Sequence, residues 1–168
     1  MSTIYKRTEH TANILIIVVA ILIIGASVQR YFSNTPSLSS RQLPKVGDKV
    51  ALADFDWSKN NKNVLLVLQK NCHFCSDSAG FYKTLIRQTK DKNVNLVAVL
   101  PQEKQEAEKY LNDLGVSGIE VRQSELDSLL VAGTPTIIVA NDKGEITDVW
   151  FGKLTTEKEN EVLAKLIG

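Results

Sequence analysis

"VLLVLQKNCHFC", Val64 to Cys75, carries the reading of this chain. Its first six residues are almost wholly apolar and follow the turn-rich "SKNNKN". A run of that kind suits a strand covered on both faces rather than one facing water. Its last four, after Asn71, begin and end with the only two cysteines of the 168-residue chain. Beyond them Cys75, Ala79, Tyr82 and Leu85/Ile86 recur at helical spacing, predicting a helix from near Cys72 to around Lys90.

Further along, "NVNLVAVL" (Asn93 to Leu100) reads as a second apolar strand stopped by Pro101. From Gln102 to Leu114, residues Ala107, Tyr110, Leu111 and Leu114 make one stripe, and Gly115 follows as a C-cap. A short strand is expected at Ile119–Val121. "SELDSLLV" offers Ser124 as an N-cap and Leu126, Leu129 and Leu130 as the buried face of a helix. "TPTIIVA", the turn "NDKG" and "EITDVWF" form a hairpin. Thr156 with Glu159 reads as a capping box ahead of Val162, Leu163, Leu166 and Ile167. Alternating strands and helices closed by an antiparallel pair predict an α/β layer fold with a mixed sheet. The cysteines fall where a central strand ends and a helix opens, the usual place for chemistry in open α/β sheets.

Three readings compete for Cys72 and Cys75. Structural zinc needs four ligands; this chain has no further cysteine and two histidines, of which His10 precedes an apolar span. An inert disulfide would close too small a loop to add much stability, and about 125 residues bury a core without staples. A redox pair has a physical basis. A cysteine at a helix start meets unsatisfied N–H groups and the positive end of the helix dipole, both of which favour the thiolate. Cys72 is then the exposed nucleophile and Cys75, one turn on, the shielded resolving thiol. His73, when protonated, favours the Cys72 thiolate further, against the plainer reading of a solvent-facing bystander. Phe74 packs beside the cysteines or offers a client an apolar contact. A binding protein holding Cu(I) between the same two sulfurs is the alternative function.

A buried strand running into C-x-x-C, with "GTPT" (Gly133 to Thr136) opening a later strand, resembles the thioredoxin-like superfamily over roughly residues 46–168. The resemblance implies a cis proline at Pro135 lying against the cysteines, and Thr134 touching both sulfurs and substrate backbone. Within the superfamily, "KVGDKV" and "GTPTIIVANDKGEI" are similar to membrane-anchored TlpA-type proteins. Those are thiol–disulfide oxidoreductases outside the cytoplasm, several of them reductants in cytochrome c or oxidase assembly. The chain departs from the family at three places: Asn71 for the usual Trp, Gly80 for a helix-kinking proline, and Leu66 where many thioredoxins bury an acid. His73 points to an oxidising direction and the TlpA resemblance to a reducing one.

Upstream, "ANILIIVVAILIIGASV" (Ala12 to Val28) holds no charge, and its 17 residues span about 25 Å as a helix. Thr11, Tyr31 and Phe32 extend it toward the bilayer's roughly 30 Å core. The small residues Gly25, Ala26 and Ser27 also fit a signal cleavage site, but the run is long for a signal and Ile23 and Ile24 crowd that site. The reading is therefore a tail over 1–11, an anchor over 12–32, a linker over 33–45 and a thioredoxin-like domain over 46–168. Lys6, Arg7 and the terminal amine, weighed against Arg30, Arg41 and Lys45, favour an N-terminus in the cytoplasm. The domain then faces the periplasm or cell exterior. Its partners are protein thiols or disulfides, a membrane or envelope redox protein, and the lipid bilayer.

Twenty basic against 19 acidic side chains give no electrostatic footprint for nucleic acid. No Gly-rich phosphate loop, carboxylate pair or serine triad stands out, and no cofactor is implied. The charged run Glu103, Lys104, Glu106, Glu108, Lys109 reads as a solvated helix face. Trp57 and Trp150 read as packing residues.

Overall fold

The structure, a computed structural model, describes residues 44–168. The apolar span and most of the linker lie outside the described residues. Among those described, no helix is long and apolar enough to cross a membrane.

A five-stranded sheet has β1 (Lys62–Val67) at its centre, in the order β3-β2-β1-β4-β5. β2 (Val94–Leu100) runs parallel to β1, and β3 (Glu120–Gln123) parallel to β2. β4 (Thr136–Ala140) and β5 (Ile146–Phe151) are antiparallel, so the sheet is mixed as expected. Val64 to Leu68 are all fully buried, which is what an uninterrupted apolar run at the sheet centre requires.

Alternation along β1 feeds two cores. Val64, Leu66 and Leu68 pack with residues of α2 (Ala79–Thr89), α3 (Lys104–Asp113) and α4 (Thr156–Ile167). Leu65 and Val67 pack with Val50, Leu52, Leu129 and Val131, so the second face is covered by irregular chain instead of a helix. Gly115, at φ +71, closes α3 from the left-handed region, where a side chain would be strained.

Four local readings are corrected. The helix after Cys72 is two helices, α1 (His73–Asp77) and α2, broken at Ser78. The Ser78 hydroxyl donates to the Phe74 carbonyl at 2.8 Å, and such back-bonding bends helices. The third strand starts at Glu120 rather than Ile119. The cap of α4 is Thr155, whose hydroxyl accepts from the Lys158 N–H. Finally, residues 124–131 form successive turns and no helix. Ser128 donates to the Glu125 carbonyl at 2.6 Å, and Leu130 sits at φ +56 with its side chain exposed rather than buried.

The buried hydroxyls of Tyr82 and Tyr110 make no hydrogen bond of good geometry; burial pushes the Tyr82 phenol above its ordinary value, opposed in part by the nearby Ser78 hydroxyl, which itself donates to the Phe74 carbonyl. An unpaired buried hydroxyl opposes folding, so Tyr82→Phe is expected to stabilise by about 1 kcal/mol. Because the unfolded phenol titrates near 10 and the buried one higher, stability falls as pH rises beyond about 10. The Phe variant should lose that part of the fall. Urea titrations at pH 7.5 and 10.5 check both; a destabilised variant at neutral pH would show that the hydroxyl is paired.

Candidate active site

β1 delivers its chain end to the site through a tight turn. The Leu68 N–H still pairs with the Val99 carbonyl, and the Cys72 N–H donates to the Gln69 carbonyl at 3.3 Å. Asn71 makes the turn at φ +64. Asparagine tolerates that left-handed region far better than a bulky side chain does, which gives a physical reason for Asn at this turn.

Cys72 is the N-cap of α1, in extended conformation, and its sulfur accepts the Cys75 N–H at 3.1 Å. The two cysteines are joined as a disulfide with Cα atoms 5.2 Å apart. They differ sharply in access: Cys75 is fully buried, whereas Cys72 is partly exposed. Leu66 lies in the same apolar cluster as Cys75, so this layer presents a hydrocarbon where many thioredoxins place an acid.

Opposite Cys72 stands the loop ahead of β4. The Thr134–Pro135 peptide is cis, and the Thr134 carbonyl oxygen lies 3.4 Å from Cys72 Sγ. Pro135 is buried and Thr134 half-buried. The structure thus brings Cys72, Cys75, Thr134 and Pro135 together.

His73 and Phe74 occupy the outer side of α1. The His73 side chain is 82% exposed and its Nε2 is 3.6 Å from Asp77 Oδ2. Phe74 is 55% exposed. Sequence reasoning missed Asp77, Lys153 and Phe151. The Lys153 ammonium donates to Asp77 Oδ2 at 2.9 Å. That hydrogen bond holds the Asp77 carboxyl below its usual range; partial desolvation opposes it, and the charges of His73 and Lys153 add to it. Phe151, 51% exposed, lies against Gly133, where an added Cβ would come within 3.3 Å of its ring. The spacing of Asp77 four residues after His73 was a visible signal; Lys153 lies 76 residues from Asp77 and gave none.

A cavity of about 400 Å³ lies elsewhere, lined by Ile86, Thr89, Val94 and Ile119 among others. Among the described residues, no group of three or more His, Cys, Asp or Glu side chains is placed to hold a metal ion.

No known family profile matches the chain, and no curated protein matches it. Solved structures do. A thiol-disulfide isomerase from Corynebacterium glutamicum is 18% identical, over 76% of this chain and 94% of that one, with a TM-score of 0.56. A putative thiol:disulfide interchange protein, DsbE, from Chlorobium tepidum is 21% identical over 73% and 99%, with a TM-score of 0.59. A thiol:disulfide interchange protein from Bacteroides sp. is 16% identical over 76% and 91%, with a TM-score of 0.58. At such identities the likeness establishes the fold, which is thioredoxin-like. The neighbours are thiol–disulfide oxidoreductases, and this chain carries a C-x-x-C disulfide of the kind such chemistry uses.

Proposed function

We propose that the protein is a thiol–disulfide oxidoreductase acting on protein cysteines outside the cytoplasm, held to the membrane by residues 12–32 with residues 33–45 as linker. The observation that carries the chemistry is the asymmetry of the pair: a reachable Cys72 sulfur beside the Thr134 carbonyl, joined to a fully buried Cys75.

In the reducing direction the Cys72 thiolate attacks a client disulfide, forms a Cys72–client bond and expels one client thiolate. Cys75 then gives up its proton and attacks Cys72 Sγ. The Cys72–Cys75 bond forms, the Cys72–client bond breaks, and the second client thiolate leaves. Two electrons pass from the dithiol to the client; the reverse sequence oxidises it. The Cys75 N–H, donating to the Cys72 sulfur, favours the thiolate. Thr134 and Pro135 line the approach of the client backbone, Phe74 supplies an apolar contact, and His73 adds positive charge when protonated. A membrane or envelope redox partner restores the starting state.

The test is the reduction potential of the pair in the full-length chain in detergent, equilibrated against glutathione buffers. A value at or below about −250 mV marks a reductant, and one above about −180 mV an oxidant or isomerase. A reduced protein that holds Cu(I) against a weak chelator yet exchanges with no disulfide would overturn the reading in favour of a copper carrier.

A further inference from the structure

Three successive residues, the last of β5 and the first two of the turn that leads to α4, span the site. The Phe151 ring covers Gly133, the Gly152 N–H donates to the Pro135 carbonyl at 2.8 Å, and Lys153 Nζ reaches Asp77 on α1. The turn therefore touches the loop opposite Cys72 twice and then the cysteine helix itself. Its last contact places charge beside the nucleophile. Asp77 Oδ2 is shared between Lys153 at 2.9 Å and His73 at 3.6 Å. Asp77 follows Cys72 by five residues, an axial rise of roughly 8 Å, which is comparable to the screening length at physiological salt. The charged side chain on the turn just ahead of Cys72, Lys70, is already paired with Glu106 of α3.

We infer that Lys153 is a tuning residue for Cys72: it cancels the Asp77 carboxylate, which otherwise disfavours the Cys72 thiolate. This rests on the redox reading of the pair. The geometry supports a sign rule that a purely mechanical brace would not obey. Removing the carboxylate and removing the ammonium must move Cys72 in opposite directions. A brace is broken equally by either change, so both would move it the same way.

The experiment uses the full-length chain in detergent with Cys75→Ser, which leaves Cys72 as the only thiol. The pH profile of its alkylation gives the acid constant. Lys153→Met is expected to lower that constant about two- to threefold, and Asp77→Asn to raise it by a similar factor, from a unit charge at ~8 Å in a watery setting. The double variant should return close to the parent, and all three shifts should shrink in 1 M salt. Shifts of the same sign, or none, would overturn the inference while leaving the redox reading intact. A Cys72 that titrates normally but never exchanges with a disulfide would instead sink the redox reading.

Discussion

Cys75→Ala is expected to turn a catalyst into a trap. Cys72 keeps its exposure and its place at the helix start, so it still attacks a disulfide, but the buried sulfur that would release the client is gone. Mixed disulfides with client proteins should accumulate, visible as adducts that vanish on reduction. Cys72→Ser should instead give no adducts, and disulfide exchange should fall on the order of 10³-fold or more, because a serine hydroxyl is not ionised where a thiol is. The sulfur of that variant's Cys75 remains shielded in the apolar cluster with Leu66, Tyr82 and Leu85, so alkylation in the folded state should also be slow. Adducts forming at Cys75 in the Cys72→Ser protein would reverse the assigned roles. The effect is large because the two sulfurs share one reaction and cannot stand in for one another.

What the sequence made legible follows from local chemistry. β1 was readable because a strand covered on both faces needs an unbroken apolar run, and Val64–Leu68 supply one. α3 was readable from its stripe and from Gly115. The 124–131 segment was not, because Leu126, Leu129 and Leu130 have helical spacing whether or not a helix forms. What decides against one is the Ser128 hydroxyl on the Glu125 carbonyl and the left-handed Leu130. Adjacent threonines made the α4 cap ambiguous by one residue, and the side chain that accepts the Lys158 N–H belongs to Thr155. The break at Ser78 depends on a single side-chain hydrogen bond. The Cys72–Cys75 disulfide and the cis Thr134–Pro135 peptide beside Cys72 were legible from motif and resemblance. The Lys153–Asp77 pair is purely tertiary and became visible only once β5 and α1 lay side by side.

Asn63→Asp is expected to be among the most destabilising single-atom changes available to the fold. The notion of "SKNNKN" as mere turn hid this residue, which is the second of β1 and is fully buried. Its amide donates to the carbonyls of Trp57 at 3.0 Å and of Asn60 and Asn141, both at 3.3 Å. Its own oxygen accepts from Asn95 at 3.4 Å. One side chain therefore ties the irregular stretch before β1, the β4–β5 turn and the neighbouring strand β2. A carboxylate there keeps only the Asn95 donor and faces three carbonyl oxygens with nothing to give them. Leaving those acceptors unpaired beside a buried charge costs about 3–5 kcal/mol at neutral pH, whereas Asn63→Ala, which adds no charge, should cost about 2–3 kcal/mol. The sign of the pH dependence separates the two variants. Burial and the facing carbonyls raise the new carboxyl above its unfolded value near 3.9. The penalty is thus present above the folded-state value and relieved as pH falls through it. Urea titrations at pH 7.5 and 5 should show the aspartate variant closing on the alanine variant at the lower pH. A loss below about 1 kcal/mol at pH 7.5 would contradict a buried role in which this amide donates to the three carbonyls. Asn63 lies near the start of the strand and the cysteines follow its far end, so the molecules of either variant that remain folded should keep the parent reduction potential. A potential that moved with stability would mean that the strand's two ends are coupled, and that the site depends on the whole of β1.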